Sequence, residues 1–323
     1  MLRSLYSAIS GMGVHQSKLN VIGNNIANVN TYGFKSSRVV FSDVLYQNVR
    51  SSTAGENDGT AIASGGTNSS QLGYGVKVAS IDKIMTNSSG ADTGRSMDIF
   101  IDGDGFLIVN TKQADDPEIA YTRVGALQFD SAGNLVDGNG SMVLGTISAI
   151  DTTTDPITYT EASDISALDP TYLEDYMANL TTTYLAPGAS AATDEIGGIS
   201  IDPEVLDEVT GISIGSDGAI TGIIGGSPYV LGKIAIGTFG NPDGMSEVGT
   251  SYFQADSNSG DVQITSAGEN AAGEIISGCL EMSNVDLSRE FTEMITAQRG
   301  FQANSRIVTV SDSILEELVN LKR

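Results

Sequence analysis

Apolar residues at both ends of the chain recur with the spacing of an amphipathic helix. In residues 1–30 they follow alternating three- and four-residue steps, at Leu2, Leu5, Ile9, Met12, Leu19 and Ile26. Near the other end, seven-residue steps join Leu287, Met294, Phe301, Val308 and Leu315, with Phe291 and Val319 on a companion position. The pattern predicts a helix at each end, each with an apolar seam that needs a partner helix.

The first predicted helix ends within an asparagine-rich run from Asn24 to Lys35. Asn and Gly tolerate the left-handed backbone of helix ends and turns. The following segment, 31–71, has a few mixed apolar positions and then a stretch rich in Ser, Thr, Gly, Ala and Asn. This composition predicts a linker.

The middle of the chain changes to a period of two, interrupted by turn residues at short intervals. This pattern covers 72–145 and returns over 209–283, which predicts an antiparallel β-rich domain built from both stretches. Between them, 146–208 is rich in Thr, Ser, Ala, Asp and Glu and is predicted to form a small inserted domain at the outer surface. The predicted fold class is α+β, with the terminal helices (1–30 and 284–323) paired as a coiled coil.

Composition and charge exclude several kinds of partner. No apolar run of about 18 residues is present, so we expect no membrane insertion. The net charge is −24, and residues 51–280 carry 6 basic and 32 acidic side chains. Such a surface repels nucleic acid and anionic membranes, so we expect no nucleic acid partner. The single cysteine, Cys279, rules out an internal disulfide framework.

The sequence offers little that resembles a catalytic or metal site. His15 is the only histidine and lies in the first predicted helix, which makes a Ser–His–Asp or Cys–His arrangement implausible. Asp102-Gly-Asp-Gly105 resembles the start of a calcium loop, but the twelfth position is Gln113 instead of the closing Glu, which favours a turn. We therefore predict no enzyme activity, no catalytic residues, no cofactor and no metal.

Several long motifs, in a consistent order, resemble the signatures of bacterial flagellar rod and hook proteins. They lie at 1–12, 24–35, 280–290, 297–304 and 316–323, and the similarity covers about 1–145 and 209–323. The most specific is the run from Asn24 to Lys35, whose characteristic residues are Asn24, Asn25, Asn28, Gly33 and Phe34. Residues 146–208 resemble nothing in this family.

The resemblance implies a structural subunit of the flagellar axis. It is greatest to the hook subunit, a curved tube that acts as a universal joint and passes torque from rod to filament; the distal rod subunit is the alternative. The terminal helices would line a central channel, and the twelve seam positions from Leu2 to Leu315 named above, Val319 excepted, would form the polymer interface. Implied partners are further copies in a helical homopolymer, the distal rod protein, the hook cap protein, the hook–filament junction protein and the flagellar type III export apparatus. Export would place the chain outside the cell, in the flagellum.

Two other function classes compete with this interpretation. A secreted enzyme with a β catalytic domain would need a catalytic constellation that the sequence lacks. An adhesin with coiled-coil ends would need an exposed aromatic or metal site in the inserted segment, where the only candidates are Tyr159, Tyr172, Tyr176 and Tyr184.

Overall fold

A computed structural model describes residues 2–54, 65–111, 118–147, 149–151, 158–160, 197–201, 203, 206, 209–269 and 272–321. Its two long helices are α1 (Leu2–Ala27) and α2 (Leu287–Asn320). The first strands are β1 (Ser37–Asp43), β2 (Tyr46–Arg50), β3 (Ser70–Gly73), β4 (Val76–Lys83), β5 (Gly90–Asp92), β6 (Ile99–Asp102), β7 (Phe106–Asn110), β8 (Ile119–Thr122), β9 (Leu127–Phe129), β10 (Leu135–Asp137) and β11 (Met142–Ile147).

The remaining strands are short, and a 3-10 turn (Pro242–Gly244) lies among them. They are β12 (Ala149–Asp151), β13 (Thr158–Thr160), β14 (Gly197–Gly198), β15 (Thr210–Ile214), β16 (Ala219–Ile224), β17 (Ser227–Ile234), β18 (Ile236–Thr238), β19 (Ser246–Gly249), β20 (Tyr252–Gln254), β21 (Gln263–Thr265), β22 (Glu274–Ser277) and β23 (Cys279–Glu281). The helix–strands–helix order and the antiparallel pairing confirm the predicted α+β class.

The chain divides into two compact units. The helical unit comprises Met1–Val29, Ser36–Ile84 and Val285–Arg323. The sheet unit comprises Asn30–Lys35 and Met85–Asn284. The chain therefore passes from one unit to the other four times.

The helical unit contains a long two-stranded ribbon. β1 pairs with β4, and β2 pairs with β3, both antiparallel. Backbone hydrogen bonds from Val44 N to Gly75 O (3.0 Å) and from Tyr74 N to Leu45 O (3.2 Å) join the two ladders, and a bridge between Thr53 and Thr67 extends them. We call residues 37–53 and 67–83 the ribbon; each strand would span about 55 Å if fully straight.

The ribbon corrects the prediction of a linker at 31–71. That segment contains β1, β2 and β3, and the boundary with the sheet unit falls between residues 84 and 85 instead of at 71. The short apolar groups around Val40 do not show a clear period of two, since a register shift between Val40 and Phe41 interrupts the alternation. Their partner strand, β4, also lies far from β1 along the chain, and single-sequence patterns carry no information on such a pairing.

α1 and α2 pack side by side in antiparallel directions. The Asn25 side chain contacts Glu290, Lys18 forms an ion pair with Glu293, and Gly11 lies against Asn304. Residue numbers thus rise along one helix as they fall along the other. The Asn25–Glu290 contact joins residues 265 positions apart. The supercoiling of a true coiled coil stays a prediction.

The sheet unit is built around a sheet of 13 strands, whose main path runs β15-β16-β17-β11-β7-β8-β20-β19. Its strands alternate or are wholly apolar, so their apolar side chains pack into two core clusters. The largest cluster includes Ile99, Leu107, Leu127, Leu135, Ile220, Ile234 and Ile275. Two-stranded pairings of β22 with β6 and β23 with β5 lead toward α2 along the chain.

Most of the predicted inserted domain, 146–208, lies outside the described residues. In its described parts β12 pairs with β13, and β14 pairs with β11. Ile199 and Ile201, which follow β14, are buried in the core of the sheet unit, so an outer position is wrong for residues 197–201. For the rest of the segment it stays a prediction. No helix within the described ranges is long and apolar enough to cross a membrane.

Candidate assembly interface

Within the chain, the predicted seam of α1 is only partly covered. Leu5, Met12, Leu19 and Ile26 are half-buried, whereas Ile9 is 48% exposed. The side chain of Leu2 lies outside the described set. The fully buried positions of α1 are instead Ala8, Gly11, Val14, Ile22 and Asn25. Two of these residues are small and one is polar, while Val14 and Ile22 are apolar, so the buried face of α1 is displaced from the predicted seam.

The seam of α2 divides in the same way. Met294, Phe301 and Val308 are half-buried, in agreement with a pairing face on the seven-residue repeat. The predicted positions Leu287, Phe291, Leu315 and Val319 are exposed. Contacts of these exposed side chains with other molecules stay a prediction.

Two glycines permit the close approach of the helices. A Cβ atom at position 300 would lie 2.5 Å from the His15 ring, and one at position 11 would lie 2.6 Å from Asn304 Nδ2. The His15 ring also packs edge-on against Phe41 of the ribbon, with ring centroids 5.9 Å apart. The lone histidine is therefore a packing residue between three elements of the helical unit.

We expect Gly300→Ala to destabilise the helical unit by about 1–3 kcal/mol, because the added methyl overpacks against His15. In a His15→Ala background the same substitution should stabilise by about 1 kcal/mol, since Ala is the better helix former. Urea unfolding followed by far-ultraviolet circular dichroism measures both values. Additive effects would contradict the contact, because contacting residues couple.

Asn25, one of the family-motif residues, connects α1 to both α2 and the ribbon. Its side-chain amide donates to the Ser37 carbonyl oxygen at 2.8 Å and to Glu290 Oε1 at 3.2 Å. Its side-chain oxygen accepts from the Ser37 N–H at 3.0 Å. Asn25 is almost fully buried, and its side-chain amide group forms all three hydrogen bonds at once.

The two carboxylates beside this contact are perturbed in opposite directions. Burial raises the pKa of Glu290, and the Asn25 amide offsets only part of that effect. Burial also tends to raise the pKa of Glu293. The hydrogen bond and charge of Lys18, together with the nearby Arg289, outweigh this effect, so the pKa of Glu293 is lowered. Lys18 Nζ lies 3.1 Å from Glu293 Oε2.

These directions predict opposite pH effects. Because the pKa of Glu290 is raised on folding, the folded state gains stability as pH falls through that value, and Glu290→Gln should be more stable than wild type at neutral pH. Glu293 contributes stability above its unfolded pKa that is lost as pH falls, so Glu293→Gln should be less stable at neutral pH. Thermal unfolding between acidic and neutral pH checks both signs; a loss of stability in both variants would contradict the Glu290 assignment.

The other motif residues end α1 and enter the sheet unit. The Asn28 side-chain amide donates to the carbonyl and side-chain oxygens of Asn24, both at 3.0 Å, which closes the last turn of α1. Gly33 has a φ of 67°, and a Cβ there would lie 2.9 Å from Val124 Cγ2. Its N–H donates to the Glu281 carbonyl oxygen at 2.9 Å, and Phe34 is buried.

Lys35, the last residue of the motif, joins a buried charge cluster in the sheet unit. Its Nζ donates to Glu281 Oε1 at 2.7 Å and to the Thr86 carbonyl oxygen at 3.0 Å. Arg123 Nη1 lies 3.7 Å from Glu281 Oε2, and its guanidinium lies over the Phe106 ring. Burial lowers the pKa of both Lys35 and Arg123, against the opposing charge of Glu281.

The sequence did not single out Lys35, Glu281 and Arg123 as a group. All three side chains are at most 2% exposed, and residues of these types are rarely so buried unless paired. Lys35 and Glu281 each lie inside a family motif, and this was the only indication in the sequence that they matter. Their mutual contact depends on tertiary structure. The motif is therefore an anchor that holds residues 30–35 in the sheet unit.

The chain is similar to known proteins in the regions that contain the helical pair and the motif. Residues 5–35 match the family model described as flagella basal body rod protein, 100–222 match the flagellar hook protein FlgE/F/G D1 domain, and 276–321 match the flagellar basal body rod FlgEFG protein C-terminal region. These matches include most of both helices and the anchor. The second match also spans 146–208, so the prediction that this segment resembles nothing in the family is wrong.

Full-length relatives carry both rod and hook names. The chain is 41% identical over 325 residues to the flagellar basal-body rod protein FlgG of Bacillus subtilis (strain 168), covering 100% of both chains. It is 30% identical over 450 residues to the flagellar hook protein FlgE of Borreliella burgdorferi, and 30% identical over 323 residues to the rod protein FlgG of that organism, again covering 100% of both chains in each case. The chain therefore belongs to the family of flagellar hook and basal-body rod proteins, structural components of the bacterial flagellum.

Proposed function

We propose that this chain is the structural subunit of the flagellar hook and polymerises with its own copies into a helical tube. The observation that carries the polymer is the exposure of large apolar side chains on both terminal helices, among them Ile9, Phe291, Ile295 and Val319. Several exposed apolar side chains along the helices of one unit are typical of an interaction site. Neighbouring copies would bury it.

Two observations support the hook over other axial positions. The family model that matches residues 100–222, and so spans segment 146–208, carries the description flagellar hook protein FlgE/F/G D1 domain. A hook protein, FlgE of Borreliella burgdorferi, is also a relative over its full length. In this role the tube would be curved and would act as a universal joint passing motor torque from rod to filament.

The distal rod is the second candidate. It is favoured by the 41% identity to a rod protein of Bacillus subtilis, while the rod and hook relatives of Borreliella burgdorferi are each 30% identical to the chain. Both candidates are tubes of the same axis and need the same exposed helix faces.

The proposed role defines the neighbours of the polymer. The distal rod protein would lie at one end, and the hook cap protein, later replaced by the hook–filament junction protein, at the other. Subunits would reach the tip through the flagellar type III export apparatus and would act outside the cell. No cofactor or metal enters this function.

Electron microscopy of basal bodies from cells that lack this chain tests the proposal. A hook subunit predicts complete rods without hooks, and the wild-type chain supplied from a plasmid should restore the hooks. Rods that stop short would instead support the distal rod. Complete flagella in the deletion strain would contradict both candidates.

A further inference from the structure

The hairpin turn between β10 and β11 contains Asn139-Gly140, the only Asn-Gly pair in the 323 residues. Asn139 is exposed, and Gly140 has a φ of 84°, a left-handed backbone that favours glycine. The Gly140 N–H donates to the Asp137 carbonyl oxygen at 3.1 Å, and the Asp137 N–H donates to the Ser141 carbonyl oxygen at 3.0 Å. Backbone hydrogen bonds therefore hold this turn in one conformation.

An asparagine followed by glycine can lose its side-chain amide without an enzyme. The backbone nitrogen of Gly140 attacks Cγ of Asn139, which forms a new C–N bond and a cyclic imide. The bond between Cγ and Nδ2 breaks, and Nδ2 leaves as ammonia with the proton from the Gly140 nitrogen. Water then opens the imide and leaves aspartate or isoaspartate at position 139. Glycine favours the attack because no side chain shields its nitrogen.

In the folded chain, hydrogen bonds occupy both reacting groups. The Gly140 N–H is bonded to the Asp137 carbonyl oxygen, and Asn139 Nδ2 donates to the Tyr252 hydroxyl oxygen at 3.1 Å. The Asn139 N–H also donates to Asp137 Oδ1 at 2.9 Å. Ring closure requires the Asn139 side chain to leave Tyr252 and the Gly140 nitrogen to give up its proton. The folded turn therefore opposes the reaction that its sequence favours.

Tyr252, on β20, is the fixed point of these contacts. Its hydroxyl donates to Asp137 Oδ2 and lies 2.9 Å from Ser141 Oγ, and both Tyr252 and Asp137 are buried. Burial, together with the hydrogen bond to Asp137, raises the pKa of Tyr252, so the hydroxyl keeps its proton at neutral pH. Since that proton is directed at Asp137, the oxygen accepts from Asn139. We call Asp137, Asn139, Ser141 and Tyr252 the turn network.

We propose that Asn139 is a deamidation site which the turn network protects, so that its conversion marks chains that have spent time unfolded. An aspartate at position 139 has no N–H to donate to Tyr252, and its charge would lie one hydroxyl group away from the Asp137 carboxylate, which it repels. Isoaspartate would in addition lengthen the backbone of the turn. Because the released ammonia is lost, converted chains refold with lower stability. This inference does not rest on the proposed function.

Incubation of the purified chain at mildly alkaline pH, with and without urea, tests the site and its protection. Peptide mapping by mass spectrometry measures the conversion of amide to acid at each asparagine. In urea, Asn139 should react before Asn258, which lies in another exposed turn of the sheet unit and precedes Ser259. Without urea, conversion of Asn139 should be about tenfold slower or more, since two hydrogen bonds must break. Equal rates with and without urea, or no lead over Asn258 in urea, would overturn the proposal.

Two variants of the turn network identify the protecting contact. Tyr252→Phe removes the acceptor of the Asn139 amide and should speed conversion without urea about fivefold. Ser141→Ala is the matched control, because it also removes a contact with the Tyr252 hydroxyl but leaves that of Asn139. Conversion at the wild-type rate in Tyr252→Phe, or equal acceleration in both variants, would contradict protection by Tyr252.

A third comparison measures the effect of the product on folding. Asn139→Asp should lower the folding equilibrium constant of the sheet unit about fivefold, as measured by urea unfolding. Asn258→Asp adds the same charge in an exposed turn and should unfold as wild type does. If Asn139→Asp is as stable as wild type, conversion does not weaken the fold, and the proposed consequence is wrong.

Discussion

Glu281→Leu is expected to destabilise the sheet unit by about 3–5 kcal/mol, because it leaves two buried cations without their carboxylate. Lys35 and Arg123 both contact this carboxylate, and neither can reach solvent without disrupting the structure around it. Urea unfolding of the purified chain, followed by tyrosine fluorescence, measures the change. Free energies of this size are a large fraction of the stability of a domain.

The matched variants separate the charge effect from the packing effect. Glu274→Gln removes an exposed carboxylate of the same unit and should change stability by no more than about 0.5 kcal/mol. The triple change Lys35→Met, Glu281→Leu and Arg123→Met should recover most of the lost stability, since apolar groups can replace a buried ionic cluster. A triple variant as unstable as Glu281→Leu alone would show that the cluster is not the cause.

Gly33→Val is expected to destabilise by about 2–4 kcal/mol, through left-handed backbone strain and overpacking. The φ of 67° is unfavourable for a branched residue, and the new side chain would meet Val124 Cγ2 and the Arg123 backbone. The same unfolding measurement checks the loss of stability. The substitution should also weaken the contact of residues 30–35 with Glu281.

Gly13 offers a control of opposite sign. It is an exposed glycine in α1, and a Cβ there would meet nothing within 4 Å. Gly13→Ala should therefore stabilise by about 1 kcal/mol, the usual difference in helix propensity. A destabilisation by Gly13→Ala would show that helix formation at α1 is limited by something other than propensity.

The helices and the fold class could be predicted because their signals are local. Of the seven-residue repeat on α2, Met294, Phe301 and Val308 are half-buried within the chain, whereas Leu287 and Leu315 are exposed, and a polymer interface at these positions stays a prediction. On α1 the large residues mark a neighbouring side, since close approach of the helices selects Ala8 and Gly11 for the pairing face. Hydrophobic patterns show which positions are buried from water. In a subunit of an assembly, the residues that bury them need not belong to the same chain.

The ribbon and the charge cluster could not be predicted from local pattern. β1 pairs with β4 and not with β2, its neighbour in the sequence, and Glu281 contacts Lys35 across most of the sequence. Such pairings are decided by tertiary packing, which overrides the weak preferences of short segments. The motif from Asn24 to Lys35 marked the location, but its bonds to Ser37, Glu290 and Glu281 needed three-dimensional structure.

The distance along the chain between the two halves of the helical pair determines when that pair can form. Asn25 and Glu290 are 265 positions apart, so a chain synthesised from its N-terminus holds α1 without its partner until nearly the last residue has appeared. Closing so long a loop in an unfolded chain has a large entropic cost, which early folding of the intervening sheet unit reduces. We therefore expect helix pairing to be a late step of folding, before which the apolar side of α1 is available to other molecules.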